Sequence, residues 1–252
     1  MTILKTAVRF GAMFLAVTGM AVSAQAADLY GGSLKDDPID GPAPSHRSCY
    51  VRGDLGYSWS QEPDAMYRGN FPQENFDNVS LGNDWFGEAG LGCASGVRGL
   101  RGDITLGSHR GHDFTGHIPT LSDPNDPITT SVSSVTALFN LYYDLGDWGG
   151  FVPYVGAGVG ASFNKMDDVL STDSPNTQFG DDETSLAWSV SAGMAYRLTD
   201  SLSFDLGYRY IHLGDAHSQS IDDALGTNPI LEINDMAAHE IKMGLRFDLG
   251  SY

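Results

Sequence analysis

From Tyr50 onward the chain alternates apolar and polar side chains with a period of two. The clearest stretch sets Leu202, Phe204, Leu206, Tyr208 and Tyr210 against Ser203, Asp205, Gly207 and Arg209. A second sets Leu186, Trp188, Val190, Ala192, Met194, Tyr196 and Leu198 against Ala187, Ser189, Ser191, Gly193, Ala195 and Arg197. An extended chain points successive side chains to opposite faces, so this pattern gathers the apolar ones on one side of a strand, where a helix would scatter them. The same test predicts eight strands near 50–59, 85–95, 100–110, 132–145, 151–163, 185–198, 202–213 and 236–249. The connections after the first, third, fifth and seventh are long and rich in Asp, Asn, Pro and Ser, and those between are tight turns. An even number of antiparallel strands with short turns at one end and long loops at the other is the plan of a transmembrane barrel. The fold class is therefore all-β, an up-and-down, eight-stranded antiparallel transmembrane β-barrel over 49–252.

A soluble barrel also alternates, but with its apolar residues inside. Here the polar face carries a balanced set of charges, Arg52, Arg101, Arg197, Arg209, Lys242 and Arg246 against Asp54, Glu88, Asp103, Asp144, Asp205, Glu240 and Asp248. Mutual neutralisation is what an enclosed network requires, because a buried unpaired charge is very costly. The rest of that face is small, including Gly156, Gly158 and Gly160, which suits a lumen just wide enough for side chains to fill. Aromatic residues gather near the strand ends. Trp59, Trp85, Trp188, Phe163 and Tyr210 fall at the long-loop end, and Trp148, Tyr143, Phe151, Tyr196 and Phe204 at the short-turn end. Two such girdles mark the two membrane interfaces. The apolar face is expected to meet lipid.

The N-terminus changes the compartment. Lys5 and Arg9 precede an apolar stretch from Phe10 to Val22 and a small-x-small site at Ala24-Gln25-Ala26, the form of a signal peptide over 1–26. Residues 27–48, rich in Pro and Gly and without apolar periodicity, read as a flexible periplasmic leader. The 252 residues hold 14 Lys+Arg against 32 Asp+Glu, a formal charge of −18, which excludes nucleic acid as a partner. Most of those acids lie in the long connections 60–84, 111–130, 164–183 and 214–235, the segments expected to face outward and to carry any extracellular or host ligand. Outer-membrane lipid and lipopolysaccharide are the surroundings such a chain implies.

Three segments resemble motifs of the opacity-type surface antigens, small eight-stranded outer-membrane barrels of Gram-negative bacteria. They are Tyr50-Val51-Arg52-Gly53-Asp54-Leu55-Gly56-Tyr57, Pro153-Tyr154-Val155-Gly156-Ala157-Gly158-Val159-Gly160 and Gly207-Tyr208-Arg209-Tyr210. The last strand, with Gly244, Phe247 and Leu249, looks like a carboxy-terminal assembly signal, although Gly250-Ser251-Tyr252 follow it. The resemblance implies an outer-membrane location and recognition by the barrel-assembly machinery. Such proteins serve as adhesins, structural components or small pores.

Candidate chemistry is sparse. Pairing residue 59 with 85 sets Cys49 diagonal to Cys93 on one face, within reach of a disulfide in an oxidising compartment, the other reading being two free, small apolar residues. His109, His112 and His117 match no established zinc spacing and read as polar loop residues. Asp167-Asp168 and Asp181-Asp182-Glu183 lack the Gly-punctuated loop of a calcium site. A lipid-A or phospholipid hydrolase needs a nucleophile beside its base, yet Gly214 stands two residues from His212, and 237 and 241 beside His239 hold Ala and Ile. No catalytic, cofactor or metal residue is assigned. The expected function is a surface or envelope protein with an adhesion-type or structural role and acidic loops, with a narrow porin as the alternative.

Overall fold

The alternation along 202–210 folds as one stave of a closed ring. The structure, a computed structural model, describes residues 48–69, 71–97, 99–117, 128–168, 180–219 and 230–251. The expected signal peptide and, apart from Ser48, the leader lie outside the described residues. The strands are β1 (Ser48–Ser60), β2 (Asp64–Gly69), β3 (Phe71–Asn75), β4 (Asp77–Leu81), β5 (Asp84–Ala94), β6 (Leu100–His117), β7 (Ile128–Asp144), β8 (Phe151–Met166), β9 (Asp182–Arg197), β10 (Leu202–His217) and β11 (Ile230–Ser251). Each of β1, β5, β6, β7, β8, β9, β10 and β11 pairs antiparallel with the next, and β1 pairs with β11 to close the ring, as at Tyr57 with Ile241. This is an all-β antiparallel barrel of eight strands. Closure matters because hydrocarbon offers a free strand edge nothing to bond.

β2, β3 and β4 lie within the connection expected to be a loop over 60–84. They continue the wall. Gln61 N–H donates to the Ala237 carbonyl, and β2 then pairs with the start of β11 from Asp64 with Asn234 to Arg68 with Ile230. On the return, β3 pairs with β2, β4 pairs with β6, and Gly82 N–H donates to the Asp113 carbonyl before β5 begins. The first hairpin thus runs up past the girdle, turns and comes back, so the wall keeps eight strand positions above the aromatic belt.

The other long connections shrink for the same reason. Segments 111–117, 128–130, 164–166, 182–183, 214–217 and 230–235 are strand, not loop. The expected ends at 110, 213 and 236 fall where the pairing carries bulges, between His109 and His112 on β6 and between His212, Gly214 and Ala216 on β10. A bulge inserts one residue and moves the following side chains to the opposite face, which breaks a period-two pattern. Gly214 at φ +78° and Asp235 at φ +58° supply the left-handed conformations these kinks need.

Polarity inverts at this level. Below it the outer face is apolar, with Leu55, Leu106, Phe139, Val159, Leu206 and Met243 all exposed. Above it the outer face holds Asp113, Thr115, Ser131, Ser133, Lys165, Asp182, Asp215 and Glu232, while the inner face holds Phe114, Ile128, Val132, Met166, Leu213, Leu231 and Ile233, all buried. Lipid-facing strands thus become water-facing strands without leaving the ring. The lipid boundary gives a direct test. Leu206→Arg should destabilise the folded barrel by about 2–4 kcal/mol, and Ser131→Arg by about 0–1 kcal/mol. Denaturant unfolding in lipid vesicles, followed by tryptophan fluorescence, measures both.

Candidate functional site

The inward positions of the membrane-spanning half build a charged interior in three hydrogen-bonded groups, around Glu88, around Arg52 and between Arg246 and Asp205. Glu88 on β5 accepts hydrogen bonds from Arg209 Nη1 at 2.6 Å and Lys242 Nζ at 2.9 Å. Arg209 Nε also donates to Glu240 at 2.5 Å, and Glu240 meets His109 Nε2 at 2.8 Å. One row towards the short turns, Arg52 grips Asp54 with two nitrogens at 2.8 and 2.9 Å and reaches Asp103 at 3.1 Å. Asp103 accepts further bonds from Tyr50 and Asn140. Arg101 donates to Asp144 at 3.0 Å and lies over the rings of Tyr142 and Tyr154, 4.2 and 4.9 Å from their centroids. Arg246 faces Asp205 across 3.8 Å. In a site of low dielectric a carboxylate held by two cationic donors keeps its charge, and each cation is held in turn.

Small residues make room for these groups. A Cβ on Gly244 would come within 2.2 Å of Asp54 Oδ1, and one on Gly156 within 2.5 Å of the Tyr142 ring. Gly244 of the expected assembly signal is thereby fixed by the lumen, while Phe247 and Leu249 point outward. Two placements differ from expectation. Arg197 ends β9 at the short-turn mouth, exposed, and pairs with Asp147 of the β7–β8 turn instead of joining the interior network. His109, His112 and His117, expected in a loop, all lie in strand because β6 runs on to His117, and His109 and His112 are buried inside the barrel. Tyr50, Tyr142 and Tyr154 also belong to the network; their even numbers put them on the inner faces of β1, β7 and β8, the one sequence sign of their role.

Above the charges the lumen is closed by apolar packing. Leu138, Ala187, Ile211, Met236 and Ala238 meet Phe114, Val132, Met166, Leu231 and Ile233, with Ala65, Phe76 and Leu81 brought in by the first hairpin. A few polar groups bridge the layers. Asn164 donates to the carbonyls of Leu213 and Asp215, and His112 Nδ1 meets the Gly82 carbonyl at 2.7 Å. His109 and His112 thus hold separate partners, with ring centroids 6.4 Å apart.

The cysteines stand directly opposite each other in the β1–β5 register, two residues away from the expected pairing, and their sulfurs are joined with the Cα atoms 3.9 Å apart. The disulfide lies on the outer face near the short-turn end. His239 meets the Tyr208 hydroxyl at 2.5 Å and Gln61 at 2.7 Å, and His212 stacks on Trp188 and faces Asp235 at 3.4 Å.

A barrel with an ion-paired interior, an apolar belt and two aromatic girdles is an outer-membrane architecture, and the comparison with known families agrees. The profile described as outer membrane protein beta-barrel domain matches residues 12–247. The chain belongs to that family. This outer-membrane β-barrel protein is similar to an uncharacterized protein of Brucella abortus (strain 2308), 29% identical over 90% of this chain and 93% of the relative. It is also similar to a protein of Rickettsia bellii (strain RML369-C) named "Putative adhesin", 26% identical over 80% of this chain and 88% of the relative. Outer membrane protein PagN of Salmonella typhimurium is 33% identical over 35% of this chain and 40% of its own length. Among solved structures, OprG of Pseudomonas aeruginosa superposes with a TM-score of 0.49 at 16% identity, over 83% of this chain and 98% of that one.

The network in this outer-membrane barrel predicts its own weak point. Glu88→Ala leaves Lys242 without a carboxylate and Arg209 with only one, and should cost about 3–5 kcal/mol. The paired change Glu88→Met with Lys242→Met should cost distinctly less, as read from unfolding midpoints in vesicles.

Proposed function

We propose that this protein is an adhesion-type surface protein of the outer membrane, in which the barrel is anchor and stalk and its acidic exterior is the working surface. One observation carries the reading: the wall continues above the lipid belt with its outer face polar and its interior filled with apolar side chains. A conduit needs a wet path from end to end. Here the apolar layer of Leu138, Ile211, Val132 and Met236 caps the Glu88–Arg209–Glu240 network, and Arg101 with Tyr142 and Tyr154 fills the opposite end. What the extended wall does supply is a rigid frame for exposed segments, where recognition resides in many folds.

The adhesin-named Rickettsia relative supports the same reading, as does the likeness of 50–57, 153–160 and 207–210 to opacity-type antigens. Assembly by the barrel machinery through Gly244, Phe247 and Leu249 belongs to this reading too. The acidic exterior would favour partners with basic surfaces and repel polyanions.

Two measurements test the proposal. Protein reconstituted in planar bilayers should give no stable ohmic steps; regular steps would favour the narrow porin. A non-adherent strain displaying the protein should bind epithelial cells or matrix proteins. Replacing 169–179 and 220–229 by short turns should abolish binding while heat-modifiable gel migration is kept. Binding that survives both replacements would refute an adhesive role for those segments.

A further inference from the structure

Cations are scarce in this chain, and nearly all of them are engaged. Among the described residues Arg52, Arg68, Arg101, Arg197, Arg209, Lys242 and Arg246 each lie within 4.0 Å of a carboxylate. Arg110 and Lys165 do not. Both are exposed on the outer face, two strands apart. Lys165 on β8 is paired with Ser133 on β7. Arg110 follows Ser108, the partner of Val135, by two residues and lies in the bulge of β6, which brings it level with Ser133. Across three adjacent strands the row therefore reads Arg110, Ser133, Lys165, its ends about 10 Å apart. The row beneath reads Ser108, Val135, Phe163, the upper edge of the apolar belt. The two cations stand one row above the apolar belt, with the small Ser133 between them.

The outer surface directly beneath is concave. A groove of about 900 Å³ crosses the apolar belt and is lined on its outer side by Val135, Ser108, Leu106, Gly87, Leu55 and Gly53. Its floor exists because Gly53 and Gly87 lack side chains. Nothing lies within 4 Å of a Cβ added at Gly53, and its φ is not in the left-handed region, so neither packing nor backbone demands glycine there. Glycine inside a strand marks places where something approaches the backbone closely.

We propose that Arg110 and Lys165 with the groove below them form a binding site for a phosphorylated glycolipid of the outer leaflet, of the lipid A class. The cations and the Ser133 hydroxyl take a phosphate, and an acyl chain lies in the groove. Charge-assisted contacts from Arg and Lys are the usual means of holding a phosphate, and long cationic side chains one row above Val135 and Phe163 have the reach to place their charged heads at a headgroup. Asp182 on β9 is the register partner of Lys165 and continues the row, and Asp113 lies one row above, yet neither is within salt-bridge distance of the two cations. A soluble polyanion would use the cations alone, whereas only a lipid uses both parts.

Native mass spectrometry of the detergent-solubilised protein with added lipid A tests this. Wild type should retain bis-phosphorylated lipid A, and should retain dephosphorylated lipid A roughly tenfold less. Arg110→Gln with Lys165→Gln should lower retention of the phosphorylated form by roughly tenfold. Gly53→Leu, which fills the groove, should lower it with both cations intact, and Arg68→Gln should leave it unchanged. Heat-modifiable migration checks that each variant is folded. Equal retention of the two lipids by wild type, or unchanged retention in both site variants, would overturn the proposal. So would equal binding of the deacylated phosphorylated disaccharide, which would make the row a site for soluble anions. Should a variant fail to insert, the wild-type comparison of the two lipids decides the question alone.

Discussion

A strand in hydrocarbon cannot leave its N–H and C=O groups unpaired, so the pairing of β1 with β11 is the contact on which the rest of this molecule depends. Once the ring is closed its inside and outside are fixed, and the chemistry of every side chain follows from which of four environments it enters. Facing lipid it must be apolar. Facing the enclosed lumen it can be charged, provided a partner is at hand. Above the lipid the two rules exchange places: the outer face meets water, and the interior, cut off from solvent, packs apolar side chains as any soluble core does.

The exchange has local machinery. Bulges on β6 and β10 sit at the boundary, each adding a residue just where the inward side chain changes from charged to apolar. The first hairpin contributes Ala65, Phe76 and Leu81 to the upper core by continuing past breaks at Gln61–Pro63 and at Gly82–Asn83. Without it, β6 and β11 would each expose an unpaired edge where β1 and β5 end. The acidity of the chain divides along the same lines. Inside the membrane Arg52, Arg101, Arg209, Lys242 and Arg246 each meet a carboxylate, while outside it Asp113, Asp182, Asp215 and Glu232 decorate a wall relieved by Arg110 and Lys165.

The membrane-spanning half was legible in the sequence because there the period of two is uninterrupted and both faces carry strong signals. Leu202 to Tyr210 and Leu186 to Leu198 reveal strand, face and lipid side together, and the charges between them reveal the lumen. The upper half was not legible for a physical reason. A bulge reverses the phase of the pattern, so a window running across His109–His112 or His212–Gly214 sees disorder where the chain is regular. The acids that mark the outer wall at Asp182, Asp215 and Glu232 are the same residues that usually mark loops. His109 was misplaced by this, and Arg197 by the opposite error, since correct parity at the last residue of a strand does not make a side chain enclosed. The two-residue offset at Cys49 and Cys93 has the same origin: alternation fixes a face and leaves the register free by steps of two.

The stacked interior also gives the barrel two kinds of thermal behaviour in one cooperative wall. Apolar packing of the sort formed by Phe114, Ile211, Leu231 and Ile233 carries a large heat capacity and weakens on cooling. The desolvation cost opposing ion pairs such as Arg209 with Glu88 and Glu240 falls as temperature rises. Cold therefore loosens the end of the wall that stands in water, while warmth favours the end held in lipid. A surface protein built this way keeps its anchor at temperatures where its outer storey begins to breathe.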